Sequence, residues 1–116
     1  MENTEKAAIY RLHADFCKLL SDANRLLIIN ELGKGELPVN ELVRRLELKQ
    51  SNVSKHLALM RERGLLITRR DGSMIYYSLS DNRISDAIRL LKEVQSDQIA
   101  RQRTLVQSIP EYSPGE

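Results

Sequence analysis

The stretch from residue 49 to residue 65, KQSNVSKHLALMRERGL, constrains the fold of this chain more than any other. Apolar residues recur there at helical spacing, which predicts a helix with one apolar face: Val53, Leu57, Met60 and Leu65. The rest of the stretch carries polar and basic residues that can reach the phosphates and base edges of a nucleic acid: Lys49, Gln50, Ser51, Ser54, Lys55 and Arg61. A solvated amphipathic helix would show the same division, so the neighbouring segments decide between the two interpretations.

A second, shorter helix is predicted immediately before this one. It begins at Pro38, because the first turn of a helix tolerates a residue without an N–H, and it runs to Leu46. A tight connection at residues 47–49 follows. Two helices with so short a link, the second of them polar at its start, predict a helix-turn-helix.

A β-hairpin is predicted after the long helix, which ends at Gly64. Its strands, residues 66–70 and 74–79, flank Asp71-Gly72-Ser73, and Asp-Gly favours a tight turn. In the second strand, Ile75, Tyr77 and Leu79 are predicted to form a buried face. Arg69 and Arg70 lie beside the turn, which predicts a basic wing lying along a phosphate backbone. The alternative is that both arginines only protect an edge strand from pairing.

Three further helices are predicted. The first runs from about Thr4 to Leu20 and the last from about Asn82 to Gln107. The second, residues 23–32, follows two possible N-caps, Ser21 and Asp22, and is apolar on too many sides for a surface helix. The first and last helices carry more apolar surface than one small domain needs, which predicts a dimer interface: Leu12, Phe16, Leu19, Ile84, Ile88 and Leu91.

The predicted fold class is therefore mainly α with a small β-hairpin. We expect a winged helix-turn-helix of about five helices that forms a homodimer through its first and last helices. Residues 1–109 would form one DNA-binding and dimerisation domain. Residues 110–116 are expected to be a disordered tail, because they contain two prolines and end the chain.

The distribution of charge favours a polyanionic partner. Between Arg44 and Asp71 the chain has eight basic and three acidic residues, a net charge of +5, whereas the 116-residue chain as a whole has a net charge of +2. Basicity concentrated on the central third is the pattern expected of a nucleic-acid-binding surface.

Composition argues against several other classes of protein. The single cysteine, Cys17, excludes an internal disulfide framework and suits a cytoplasmic protein. No apolar run is long enough to span a bilayer, so no membrane association is expected. The sequence shows no cluster of histidine, cysteine and carboxylate residues of the kind that would predict an enzyme active site. A winged helix that serves only as a protein-interaction module remains an alternative to DNA binding.

Three motifs in combination resemble the ArsR/SmtB family of winged-helix repressors: LSDANR at residues 20–25, QSNVSKHL at 50–57 and GSMIYYSL at 72–79. The match covers about Leu19 to Leu79. The resemblance implies a homodimer that binds a pseudo-palindromic double-stranded DNA operator and releases it when an inducer binds. By position, it assigns base and phosphate contacts to the residues at the start of the long helix: Gln50, Ser51, Ser54 and Lys55. It also includes His56 among the DNA-contacting residues, at a position that is often histidine in the family and is partly structural.

The departures from the family concern its metal sites. Arsenic- and cadmium-sensing relatives have two cysteines where this chain has Pro38 and Asn40. Zinc-sensing relatives have an Asp-x-His pair where this chain has Asp81-Asn82-Arg83, and persulfide-sensing relatives use two cysteines per chain. We therefore expect no cofactor and no metal at the usual sites, and the sequence leaves the inducer unidentified. His13 and Cys17, four residues apart, leave a redox or metal sensor at Cys17 as a further alternative, although zinc usually takes four ligands.

Overall fold

A computed structural model describes residues 2–108 of the chain. Within these residues there are five α-helices: α1 (Glu2–Lys18), α2 (Ala23–Leu32), α3 (Val39–Leu46), α4 (Gln50–Glu62) and α5 (Arg83–Gln107). There are three β-strands: β1 (Leu37–Pro38), β2 (Leu66–Asp71) and β3 (Met74–Leu79). The predicted mainly α, winged helix-turn-helix fold with five helices is confirmed. The predicted disordered tail lies outside the described residues, and the assignment of residues 1–109 to one domain stays a prediction.

The chain divides into two units, residues up to Asn82 and residues from Arg83 onward. The described part of the second unit is helix α5. The first unit contains all the other elements and is the one that carries the helix-turn-helix and the wing.

Strand β1 is the element that the sequence pattern did not predict. It completes a three-stranded antiparallel sheet in the order β1-β3-β2, with Leu37 opposite Tyr77 and Pro38 opposite Tyr76. Pro38, predicted to be the first residue of α3, is instead the last residue of β1 and the N-cap of α3. A two-residue strand is too short for a hydrophobic period to reveal it, and proline is tolerated there because β1 lies at the edge of the sheet.

The core of the first unit is formed where α2 packs against α3, α4 and β3, and where α4 packs against β2. Its fully buried side chains come from the middle of the chain: Ile28, Ile29, Leu32, Leu42, Val53, Leu57, Met60 and Leu65. Three of the four residues predicted for the apolar face of the long helix lie within α4, and Leu65 lies just after it. The prediction that α2 is central is confirmed at its three buried residues, although Leu27 is exposed.

The hairpin β2–β3 turns at Gly72 and Ser73, within the predicted turn segment, whereas Asp71, also predicted to lie in the turn, is the last residue of β2. Gly72 has a φ of +62°, and Ser73 is not among the residues with positive φ, a combination typical of a type II′ turn. The predicted buried face of β3 is wrong at Ile75, whose side chain is 37% exposed, whereas Leu79 is buried. The hairpin extends past the core at its turn, so strand alternation alone does not bury a residue there.

The segment between α1 and α2 ties the two helices together. The Asp22 side chain accepts a hydrogen bond from the Arg25 backbone N–H (3.1 Å), which makes Asp22 the N-cap of α2. The Arg25 guanidinium donates to the carbonyls of Leu19 (2.7 Å) and Lys18 (3.2 Å). These carbonyls lie at the C-terminal end of α1 and have no partner within the helix, so Arg25 fixes the direction in which α1 leaves the core.

Helix α1 carries exposed side chains from its second residue to its last. Every residue from 3 to 18 is exposed, Leu12 at 70%, and Leu19 just after the helix is buried at 5%. Among the helices in the described part of the chain, none is both long and apolar enough to cross a membrane.

Candidate nucleic-acid interface

The turn between α3 and α4 is made by a residue in an unusual backbone conformation. Glu47 has φ +54° and ψ +40°, the left-handed region, and is the only non-glycine residue with positive φ in the described part of the chain. Lys49 is the N-cap of α4 and makes no side-chain capping hydrogen bond. The free N–H groups at the start of α4, together with the helix dipole, therefore favour an anion there.

The exposed face of α4 carries the residues predicted to contact DNA. At about 100° per residue, Gln50, Ser51, Ser54 and Lys55 fall within an arc of roughly 140°. The buried residues Val53, Leu57 and Met60 fall in a separate arc of roughly 60°. The four side chains of this arc are exposed and make no hydrogen bond or ion pair within residues 2–108. We call Lys49 and these four residues the α4 polar face.

His56 lies outside this face. Its side chain is 12% exposed, and its Nε2 lies 3.8 Å from Oδ1 of Asp22. The hydrogen bond that Asp22 accepts from the Arg25 backbone N–H, and then the charges of His56 and Arg25, lower the pKa of the Asp22 carboxyl. The structure thus gives His56 a structural contact between α4 and the start of α2, and its predicted contact with DNA stays a prediction.

The end of α4 is fixed to the start of the wing. The Leu65 N–H donates to the Met60 carbonyl (2.8 Å) and the Gly64 N–H to the Arg61 carbonyl (3.1 Å), with Gly64 at φ +84°. This pattern is a Schellman motif, and it confirms that Gly64 ends the helix. Ser80 fixes this junction: its N–H donates to the Leu65 carbonyl (2.9 Å) and its hydroxyl to the Gly64 carbonyl (2.7 Å).

Arg69 and Arg70, predicted to act together at the wing, point to opposite faces of the sheet, because successive side chains of a strand alternate. Arg69 is opposite Tyr76 in the register, and its guanidinium lies 4.7 Å from the centre of that ring. It also donates two hydrogen bonds to Glu36, at 2.6 and 3.1 Å. Arg70 is opposite Ile75 and has no ion pair or hydrogen-bond partner among the described side chains.

Other basic side chains near the helix-turn-helix are neutralised by carboxylates. Arg44 and Arg45 both bind Glu41, at 2.8 and 3.2 Å, and Arg45 also lies 3.6 Å from Glu31. The hydrogen bond from Arg44, and then that from Arg45, lower the pKa of Glu41 to about 2. The unpaired cations of this part of the described chain are those of α4, its two flanks and the wing tip: Lys49, Lys55, Arg61, Arg63 and Arg70.

No group of three or more potential metal ligands occurs within residues 2–108. The Sγ of Cys17 lies 3.6 Å from Nε2 of His13 on the exposed α1, so this pair supplies two ligand atoms per chain. The residues that replace the family's two cysteines offer little, because Pro38 has no ligand atom and Asn40 has only an amide.

Comparison with known proteins identifies the family. The model of the bacterial regulatory proteins of the arsR family matches residues 22–68. The transcriptional activator HlyU of Vibrio cholerae is 38% identical over 90 residues, 78% of this chain and 78% of HlyU. The chain belongs to the ArsR family. The transcriptional repressor PagR of Bacillus anthracis, another ArsR-like relative, is 39% identical over 83 residues, 71% of this chain and 83% of PagR.

The solved structures similar to this ArsR-family chain include the homodimeric winged helix-turn-helix DNA-binding domain of Mb0332 from Mycobacterium bovis. It superposes with a TM-score of 0.73 at 25% identity and covers 83% of this chain and 89% of that one. The chain is accordingly a winged-helix transcriptional regulator, and the resemblance inferred from its three motifs is confirmed.

Proposed function

We propose that this ArsR-family regulator is a dimeric repressor that binds a pseudo-palindromic operator in double-stranded DNA. The observation that carries the proposal is the α4 polar face. Its side chains are exposed and unpaired, whereas the two basic side chains of α3 form ion pairs with Glu41. The arginines of α3 would have to break these ion pairs before they could bind DNA. The side chains of the α4 polar face can bind DNA without breaking any contact within the described part of the protein.

Each residue of this surface has a proposed role that follows from its chemistry. Gln50, at the start of α4, enters the major groove and reads a base edge, since an amide can bind adenine through two hydrogen bonds. Ser51 and Ser54 contact bases or phosphates beside it. Lys49, Lys55, Arg61 and Arg70 contact phosphates, which position the protein without reading sequence.

The dimer is proposed from the exposed apolar side chains of the two terminal helices. In α1 these include Leu12 and Phe16, and in α5 they include Leu91. Leu19 and Ile88, two further members of the predicted interface, are 5% and 9% exposed in the single chain, and their contact with a partner stays a prediction. The structural relative Mb0332 is described as homodimeric. In a two-fold dimer the two α4 helices would enter successive major grooves about 34 Å apart.

Repression is proposed rather than activation because the resemblance is to repressors, and PagR is one. HlyU is a transcriptional activator, so activation is the alternative outcome. The proposed location is the cytoplasm, and the proposed inducer is neither zinc, cadmium nor arsenite at the family's usual sites.

Selection from the genome tests the proposal. Purified protein is mixed with fragmented genomic DNA, and the retained fragments are sequenced. We expect them to share a pseudo-palindromic site. Gln50→Ala should then weaken binding to a retained fragment by about 1–3 kcal/mol and relax its sequence preference, because one base contact is lost.

The control is Asn30→Ala, which removes an exposed amide from α2 and should leave the affinity unchanged. If Gln50→Ala bound the retained fragment and random DNA as well as the parent protein does, α4 would not be the reading helix. If the parent protein retained no duplex DNA at moderate salt, the interaction-module alternative would replace DNA binding.

A further inference from the structure

The two arginines of the wing tip have different surroundings, although they are adjacent in sequence. Arg69 lies on the face of the sheet that carries Tyr76, and it is held from two sides. The carboxylate of Glu36 accepts two hydrogen bonds from its guanidinium, at 2.6 and 3.1 Å, and the Tyr76 ring lies 4.7 Å away. A third group, Asp71, lies at 3.9 Å.

This arrangement depends on strand β1. Glu36 immediately precedes β1, which pairs with β3, and β3 in turn pairs with β2, where Arg69 lies. The Glu36–Arg69 contact therefore spans the whole width of the sheet and links residues 33 positions apart. On one side it reaches the segment that leads into α3, and on the other the strand that leads to the wing tip. The hydrogen bond from Arg69 lowers the pKa of the Glu36 carboxyl, so the pair is charged at neutral pH.

Arg70 has none of these contacts. It lies on the other face of β2, beside the exposed Ile75, and makes no ion pair or hydrogen bond in the described part of the chain. A guanidinium that is already bound by two carboxylate oxygens has fewer donors left for a phosphate than one that is free.

We propose that Glu36 and Arg69 form a latch that sets the position of the wing, and that Arg70 alone supplies the wing's phosphate contact. Glu36 is a positioning residue, acting through Arg69. This inference rests on the proposed function, and it divides between the two arginines a role that the sequence assigned to both. It predicts that the charge of Arg69 can be moved to the other end of the latch without loss of binding.

Two double variants test the latch without changing the net charge of the protein. The first, Glu36→Gln with Arg69→Gln, removes both charges. The second, Glu36→Arg with Arg69→Glu, exchanges them and keeps the ion pair. A random-sequence duplex of about 40 base pairs, long enough for two half-sites one helical turn apart, serves as the probe, so the test does not require the operator. Affinity is measured over a series of salt concentrations.

We expect the uncharged double variant to bind about threefold to tenfold more weakly than the parent, because the wing is no longer held. The exchanged variant should bind within about twofold of the parent, since its ion pair is restored. The slope of log affinity against log salt should be the same for the parent and both variants, because no phosphate contact has been removed. Arg70→Gln is the positive control, and it should reduce that slope by about 0.9 per wing.

The latch would be overturned if the exchanged variant bound as weakly as the uncharged one and both slopes fell as they do in Arg70→Gln. That result would make Arg69 a phosphate contact. It would equally be overturned if the uncharged variant bound like the parent with an unchanged slope, because Glu36 would then position nothing. Circular dichroism of each variant verifies that it is folded. Failure of the parent protein itself to bind duplex DNA is a separate outcome, and it would overturn the proposed function and this inference together.

Discussion

The large apolar side chains of the segment from α2 to β3 and those of helix α1 differ in how far they are buried. In the segment, about half of these side chains are buried within the chain, and Leu42, Leu57 and Met60 are fully so. In α1, Leu12 and Phe16 are exposed, as is every residue from 3 to 18. An isolated helix of 17 residues is only marginally stable in water, and α1 gains most of its stability only when its apolar face packs against another surface. The single chain provides no such surface for residues 3 to 18. The comparison separates a core complete in one chain from a helix that needs a partner.

Removing a core side chain should have the largest effect. Leu57 is fully buried on α4, so Leu57→Ala should lower the free energy of unfolding by about 2–5 kcal/mol, through lost burial and the cavity that remains. Urea denaturation at a fixed protein concentration measures this change. Leu27→Ala, the same substitution at an exposed leucine of α2, is the matched control and should cost less than about 1 kcal/mol. Equal losses in the two variants would contradict a core completed within one chain.

Removing an exposed side chain of α1 should act on association instead. Phe16→Ala should weaken the dimer by about 1–3 kcal/mol per subunit, because large aromatic side chains dominate such interfaces. Sedimentation equilibrium over a range of concentrations measures the shift towards monomer. Arg11→Ala, an exposed residue on another side of α1, should leave the equilibrium unchanged. A parent protein that is monomeric at micromolar concentration would remove the basis for the comparison.

The sequence predicted the core better than it predicted the wing, and the reason is periodicity. The apolar residues of α2, α3 and α4 recur at helical spacing, so their helices and most of their buried positions could be found. Strand β1 has two residues and no period, so its existence was missed, and with it the contact between Glu36 and Arg69. Ile75 satisfied the alternation of a half-buried strand, but the turn carries it beyond the core.

The sequence predicted which residues form the candidate site from their types and spacing. It could not predict what surrounds each of these residues. Gln50, Ser51, Ser54 and Lys55 share one face because helical geometry follows from spacing. His56 lies in the same motif, but its approach to Asp22 depends on how α4 packs beside the start of α2. Arg44 and Arg45 added to the basic charge of the central third, but their ion pairs with Glu41 are visible only when rotamers are known.

A change of pH should show whether the ion pairs between Glu41 and the two arginines of α3 stabilise the fold. The pKa of Glu41 is lowered from 4.5 to about 2 by Arg44 and Arg45, so its folded value is below its unfolded value. The ion pairs of Glu41 therefore stabilise the folded state fully above about pH 4.5, and this stabilisation is lost as the pH falls towards 2. We expect the parent to melt at a higher temperature than Glu41→Gln at pH 6, and the difference to shrink steadily below pH 4.5.

Thermal melts at several pH values measure this difference. Glu62→Gln is the control, because Glu62 is exposed and has no ion pair in the described part of the chain. Its difference from the parent should vary less with pH. A gap between the parent and Glu41→Gln that stayed constant from pH 6 to about pH 2 would show that the contacts with Arg44 and Arg45 contribute nothing in solution.

The smallest expected effect is that of metal ions, and it tests the exposed α1 rather than the core. Cys17 and His13 offer one thiolate and one imidazole per chain, whereas zinc usually takes four ligands. Two chains could supply four ligands only if the dimer brought both pairs together. We expect the affinity for a retained DNA fragment to be unchanged by zinc, cadmium or arsenite under reducing conditions. Each metal is titrated against the parent and against Cys17→Ser. A large metal-induced release of DNA by the parent would refute the expectation, and its loss in Cys17→Ser would locate the site at α1, making the exposed helix a sensor as well as an interface.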